Sequence, residues 1–124
     1  MLLKMLKCKL HRATVTAADL HYEGSIAICP GLTAAAGLRA HESVDIYNVN
    51  TGARFTTYVI PGETGQICVN GAAARLAQPG DLVIIVAYAL LTEAEADHHQ
   101  PTVVMVDAAN RVSEVHDNSG RPPG

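Results

Sequence analysis

Aromatic residues are scarce in this 124-residue chain: it has no tryptophan, one phenylalanine (Phe55) and four tyrosines. Any core must therefore be built from Leu, Val, Ile and Ala, which bury less area per side chain than aromatic rings do. Cysteine is sparse as well. Cys8, Cys29 and Cys68 are odd in number and widely spaced. That pattern fits neither a disulfide scaffold nor a zinc site, and it points to a reducing, cytoplasmic setting. Long apolar runs are missing. The longest, Leu82 to Leu91, falls well short of the about 20 residues that span a bilayer, so no membrane partner is expected. The N-terminus interleaves Lys with Leu and Met and lacks a continuous apolar stretch, so it does not read as a signal peptide. Basic charge is in deficit. The net charge of −3 excludes a generally basic nucleic-acid binder.

The charge that is present is uneven. Residues 1–12 hold Lys4, Lys7, Lys9 and Arg12 and no acid, a net +4, while the remainder sets five bases against twelve acids. Apolar residues make up 48% and charged residues 17%, which is globular composition for a single domain, residues 1–115, with slightly little charge. A low-charge aliphatic surface is explained if other copies bury part of it.

The chain reads mainly as short strands. Leu6, Cys8 and Leu10 alternate with Lys7 and Lys9, and residues 13–16 continue the pattern. Residues 43–49 form a second strand, with Val44 and Ile46 on one face. Asn50-Thr51-Gly52 turns it back into Arg54 to Ile60, a hairpin. Gly62 to Gly65 turns again, before a short strand at 66–69. Residues 82–89 are continuous and β-branched, as in a strand buried on both faces. Later strands are expected at 102–107 and 112–115. Helices are short: 32–36 stopped by Gly37, 72–77, and one opening at Thr92, where Thr92 and Glu95 fit a capping box. Strands without βαβ spacing indicate a small barrel or sandwich. Residues 116–124 read as a disordered tail.

Gly24-Ser25 separates a polar stretch from Ile26-Ala27-Ile28. Alone, such a pair means only a turn before a strand. Its company gives it meaning. The stretch Lys9-Leu10-His11-Arg12-Ala13-Thr14-Val15-Thr16 is followed by Ala18-Asp19-Leu20-His21-Tyr22-Glu23-Gly24-Ser25. Then come Asn48, Gly52-Ala53-Arg54-Phe55-Thr56-Thr57-Tyr58, Val69-Asn70-Gly71-Ala72-Ala73-Ala74 and Pro79-Gly80-Asp81-Leu82-Val83-Ile84-Ile85. In order and spacing these blocks resemble the pyruvoyl-dependent aspartate decarboxylase family over roughly residues 1–110.

The resemblance implies a double-psi β-barrel with short helices, assembled as a homotetramer with sites between subunits. It implies a proenzyme that cuts its own backbone between Gly24 and Ser25, giving a β-chain of residues 1–24 and an α-chain of residues 25–124. Ser25 then becomes a covalent pyruvoyl group, so that neither pyridoxal phosphate nor a metal is required. A maturation factor remains an open partner of that cut. The reaction implied is L-aspartate to β-alanine and CO₂, a step toward pantothenate. An imine conjugated to the adjacent carbonyl accepts the electrons left behind by CO₂, which no ordinary side chain can do.

Roles follow for the matching residues. Thr57 resembles the threonine that assists cleavage, although it alternates away from Arg54 and Tyr58 on a regular strand. Arg54 is suited to a carboxylate fork, with Lys9 as a further positive charge. Tyr58, four residues from Arg54 and so on the same face, would donate a proton to the carbanion. Asn70 serves the family as an oxyanion donor, and the backbone at Gly71, Ala72 and Ala73 binds substrate. His11 and Tyr22 match residues that line the pocket. His21, His41, His98, His99 and His116 lack metal-ligand spacing and are expected at the surface. The chain departs from the family pattern in a loop at 62–66 that is about two residues short, in Tyr47 where some members have Trp, and in Cys29 where an acid is common. Two other readings compete: a swapped-hairpin DNA-binding barrel, favoured by the basic opening segment, and a pyruvoyl decarboxylase acting on another amino acid.

Overall fold

The computed structural model describes residues 1–117. It is mainly β, as expected. The strands are β1 (Leu2–Thr14), β2 (Ala17–Asp19), β3 (Ser25–Ile28), β4 (Ser43–Asn48), β5 (Arg54–Pro61), β6 (Ile67–Asn70), β7 (Leu82–Thr92), β8 (Thr102–Val106) and β9 (Val112–Asp117). They pair in one mixed sheet, in the order β2-β6-β3-β5-β4-β7-β1-β8-β9.

A short connection forces that sheet to curl. β1 and β2 stand six places apart in the order, yet only Val15 and Thr16 separate them in the chain. Six strand spacings laid flat cover about 29 Å. Three peptide steps from Thr14 to Ala17 reach about 11 Å at most. The sheet must bend round until its β2 end meets β1, which is a barrel-like arrangement. The inside is aliphatic: Leu10, Ile26, Ile28, Ile46, Ile67, Val69 and Ile85 are sealed from solvent, and Leu32 of the short helix α1 (Pro30–Ala36) joins the same core.

Local signals held where their causes were local. Val44 and Ile46 share the inward face of β4. Gly37 ends α1 in the left-handed region at φ 76°, and both bonds of the Thr92–Glu95 capping box form at the start of the one-turn helix α2 (Glu93–Ala96). The three cysteines are free and buried. No helix among the described residues is long and apolar enough to cross a membrane.

Several expectations are corrected. The helix expected at 72–77 is a 3₁₀ turn, Gly71–Arg75. β7 is buried on both faces only in its first half; beyond Ala87 its outward residues Tyr88 and Leu90 open to solvent. β9 takes His116 and Asp117 from the expected tail by pairing them with Val103 and Thr102; residues 118–124 lie outside the described residues. His99 is half-buried against the Leu6 carbonyl, and His116 is half-buried beside Glu114. The other three histidines are exposed.

Asn110 closes the β8–β9 turn and locks it onto the body. It is buried and left-handed, at φ 59°. Its Oδ1 accepts from Thr14 N at 2.8 Å, and its Nδ2 donates to Thr14 O at 2.8 Å and Gly65 O at 3.0 Å. Asn110→Ala removes all three bonds and strains an alanine, and should destabilise by about 2–4 kcal/mol. Asn110→Gly loses the bonds without the strain, and should be about 1 kcal/mol milder. Urea midpoints check both, and a wild-type midpoint for Asn110→Ala contradicts the latch.

Candidate active site

The two faces of the curled sheet divide the family-like residues. On β1, Cys8 and Leu10 point inward, so Lys9 and His11 point outward. On β5, Phe55, Thr57 and Val59 share the inward side, so Arg54 and Tyr58 point outward. On β3 and β6, Ile26, Ile28, Ile67 and Val69 lie inward, and Ser25 and Asn70 belong to the outer face.

Ser25 opens β3 as a residue held on both sides. It pairs with Asn70 of antiparallel β6, and Ile26 pairs with Val59 of parallel β5. Only 1% of Ser25 is exposed. Its hydroxyl donates to Glu23 O at 2.8 Å and accepts from Asn70 Nδ2 at 3.1 Å. Buried polar groups of this kind need such partners, because an unpaired one costs about 1–3 kcal/mol. The β3–β5 register also explains Thr57. Continued two positions beyond its last bonded pair, it sets Tyr58 opposite Ser25 and Thr57 opposite Gly24. Thr57 itself stays on the inward side of β5, as alternation requires.

The peptide before Ser25 lies against the 3₁₀ turn. Gly71 is buried with φ 76°, and a Cβ added there would meet Gly24 Cα at 2.6 Å and Gly24 N at 2.8 Å. Only glycine permits that approach. The turn is supported from behind: buried Asn48 donates through Nδ2 to Leu76 O at 3.0 Å and to the Asp81 carboxylate at 2.9 Å. These bonds to Asn48 and Gln78 N hold the Asp81 carboxyl below its ordinary pKa. Ala72 is exposed and Ala73 half-buried on the same turn.

Beside Asn70 a groove of about 450 Å³ opens between Tyr22, Asp19, Ala27, Ile60 and Cys68. The shortened loop forms its far wall. Gly62 packs on the Ile28 backbone, and Gln66 bonds Glu63 through both its amide oxygen and its main chain. Tyr22 lines this groove. Lys9 and His11 do not. They sit on β1, four strands from β3 in the order, and outward side chains on a curled sheet diverge. Burial first, then the charges of Lys9 and Arg12, lowers the His11 pKa. Arg54 lies exposed over the Tyr47 ring at 4.3 Å. Tyr47 in turn shares a 3.0 Å hydrogen bond with Tyr88, which with burial pushes its phenol up to about 12.

Three residues at this site escaped the sequence reading. His41, left-handed at φ 73°, packs on Tyr58 with ring centroids 6.1 Å apart. Glu23 contributes only its carbonyl, and Cys68 bonds the Asn70 amide. A non-glycine residue with positive φ has no sequence signature when it is histidine, and a main-chain acceptor has none at all.

Comparison with known proteins identifies the family. The family described as aspartate decarboxylase matches residues 1–113. A Bdellovibrio bacteriovorus protein named aspartate 1-decarboxylase is 61% identical over 90% of this chain and 90% of its own length. Proteins of the same name from Maricaulis maris and Pelotomaculum thermopropionicum are 58% and 53% identical, covering 90% and 99% of this chain and 94% and 95% of their own. With a match along nearly the whole described chain and relatives more than half identical, the chain belongs to the aspartate decarboxylase family.

Proposed function

We propose that this protein cuts its own chain between Gly24 and Ser25 and uses the product at residue 25 to convert L-aspartate to β-alanine and CO₂, a step toward pantothenate. Family membership supports the reaction. The observation that carries the self-processing is the buried Ser25 hydroxyl, clamped by Asn70 beside a Gly24 peptide that rests on Gly71.

The steps balance. Ser25 Oγ bonds to the Gly24 carbonyl carbon, the Gly24–Ser25 C–N bond breaks, and the hydroxyl proton passes to the freed amine. Loss of the Ser25 α-proton then expels residues 1–24 as a carboxylate and leaves dehydroalanine. Water replaces the nitrogen, which departs as ammonia, and a ketone remains. Gly24 suits the first step because no Cβ shields its carbonyl. Asn70 Nδ2 is a donor for the oxygen that gains negative charge, and Thr57 assists from the neighbouring strand.

When present, the pyruvoyl group supplies an electron sink for the bond that breaks as CO₂ leaves. The protein's own residues do the rest. Arg54 grips a carboxylate through a planar fork, and Lys9 adds a point charge. The backbone at Gly71, Ala72 and Ala73 lines the approach, with His11 and Tyr22 at its margins. Tyr58 returns a proton to the carbon that lost CO₂.

Lys9 and His11 do not line the groove beside Asn70 within one copy, so these roles call for a second copy facing the outer surface. That surface is apolar where it should be polar: Leu90 is 65% and Leu2 58% exposed, next to Tyr88. Both facts support association of copies with shared sites, and the homotetramer and the cytoplasmic setting are carried over from the resemblance. The basic opening segment is read as substrate-binding, since Lys7 pairs with Glu42 at 2.7 Å and Lys4 covers the Tyr88 ring. Neither a nucleic acid nor a membrane has a part in this reading.

Denaturing mass spectrometry tests the cut. Two fragments meeting at residues 24 and 25 are expected, the larger lighter than a serine-started chain by one ammonia. Ser25→Ala should stay whole, folded and inactive; an active Ser25→Ala protein sinks the mechanism. Tyr58→Phe should be cut normally yet lose turnover about 100-fold or more, and a full rate of CO₂ release would assign the proton to another donor. Gly71→Ala should displace the Gly24 peptide and leave the chain largely uncut on a denaturing gel; normal cutting contradicts the glycine-on-glycine fit.

A further inference from the structure

The hydrogen bonds around Ser25 extend one residue further than the proposed chemistry uses. Cys68 lies on β6 two residues before Asn70 and opposite Ala27, on the outer face. Its Sγ donates to Asn70 Oδ1 at 3.2 Å. Asn70 Nδ2 donates to Ser25 Oγ at 3.1 Å, and Ser25 donates to Glu23 O at 2.8 Å.

Every link in this chain has one possible direction. The Glu23 carbonyl can only accept, so the Ser25 proton is committed to it. The Ser25 oxygen must then receive from its other partner. An amide has one donating end and one accepting end. With NH₂ toward Ser25, the Asn70 oxygen faces Cys68 and needs a donor there. The thiol is that donor. Burial, and then the negative charge of Asp19, raises the Cys68 pKa, so the proton stays on sulfur.

We propose that Cys68 is a positioning residue for backbone cleavage: its S–H holds the Asn70 amide with NH₂ toward Ser25. The inference rests on the reading of Ser25 as the cleavage serine. The Asn70 N–H sits on the Ser25 oxygen itself, so it fixes that oxygen beside the Gly24 peptide and leaves its proton directed at Glu23. Turned over, the amide would offer a lone pair to Ser25, draw its proton away from Glu23 and turn the hydroxyl. Without a donor at position 68 the two orientations compete. With one, the reactive orientation is the satisfied one.

The test compares Cys68→Ser, Cys68→Ala and Cys68→Val with the wild-type chain, following the intact chain and its two fragments over time after cell-free synthesis. A donor role predicts that Ser stays within about twofold of wild type while Ala and Val cleave about fivefold slower, the size of one neutral hydrogen bond. Packing alone predicts the reverse order, because Val fills the site and Ser does not. Thermal midpoints show which variants fold, and if Ala does not, the Ser and Val pair decides. Val as fast as Ser overturns the donor role while the reading of Ser25 stands. An uncut wild-type chain overturns both.

Discussion

Two residues, Val15 and Thr16, tether strands that lie six places apart in the sheet, and the rest of the structure depends on that tether. Their backbone is engaged on both sides: Val15 N donates to Asp81 O at 2.9 Å and Thr16 N to Ile67 O at 2.8 Å. The sheet has to curl tightly to satisfy both. A tight curl leaves a narrow interior, which branched aliphatic side chains fill well. The lack of tryptophan and the single phenylalanine thus match the architecture. The same curl spreads outward-pointing residues apart. That is why Lys9 and Ser25, both on the outer face, belong to different regions of one copy.

Within the curl, β3 is enclosed along its whole length. All four of its residues are buried, between a parallel and an antiparallel neighbour. A serine starting such a strand cannot find water, so its hydroxyl is committed to Glu23 and Asn70. The proposed cut need not loosen the fold. Residues 1–24 would keep β1 in its ladder with β7 and β8, and β2 in its ladder with β6. The two pieces would remain one barrel because the sheet, rather than the peptide bond, joins them.

Much of this was legible in the chain. The β4–β5 hairpin follows from the alternation of Val44 and Ile46 and the turn at Gly52, which is left-handed at φ 80°. Parity placed Arg54 and Tyr58 on one face. The capping box fixed the start of α2. What stayed hidden depends on strands far apart in sequence. Thr57 faces inward as alternation requires, but that β3 runs parallel beside β5, so that their register extended past Ile26 leads toward Gly24, is something no local pattern encodes. His41 is exposed, as expected, but only the fold brings its ring to Tyr58. The 3₁₀ turn looked helical because its alanines favour helix, while Gly71 is held by its contact with Gly24.

Taken alone, the sequence determined the strand periodicity, the aliphatic core, the turn positions and the order of blocks that marks the family. These depend on side-chain size, on alternation with period two and on the sterics of glycine, which act over a few residues. The tertiary structure decided which way the Asn70 amide points, why Gly71 must be glycine, and that Lys9 lies outside the groove beside Asn70 in its own copy. Those are matters of cross-strand register and curvature. They are set only when distant strands close their ladders around a shared core, so no single stretch of residues contains them.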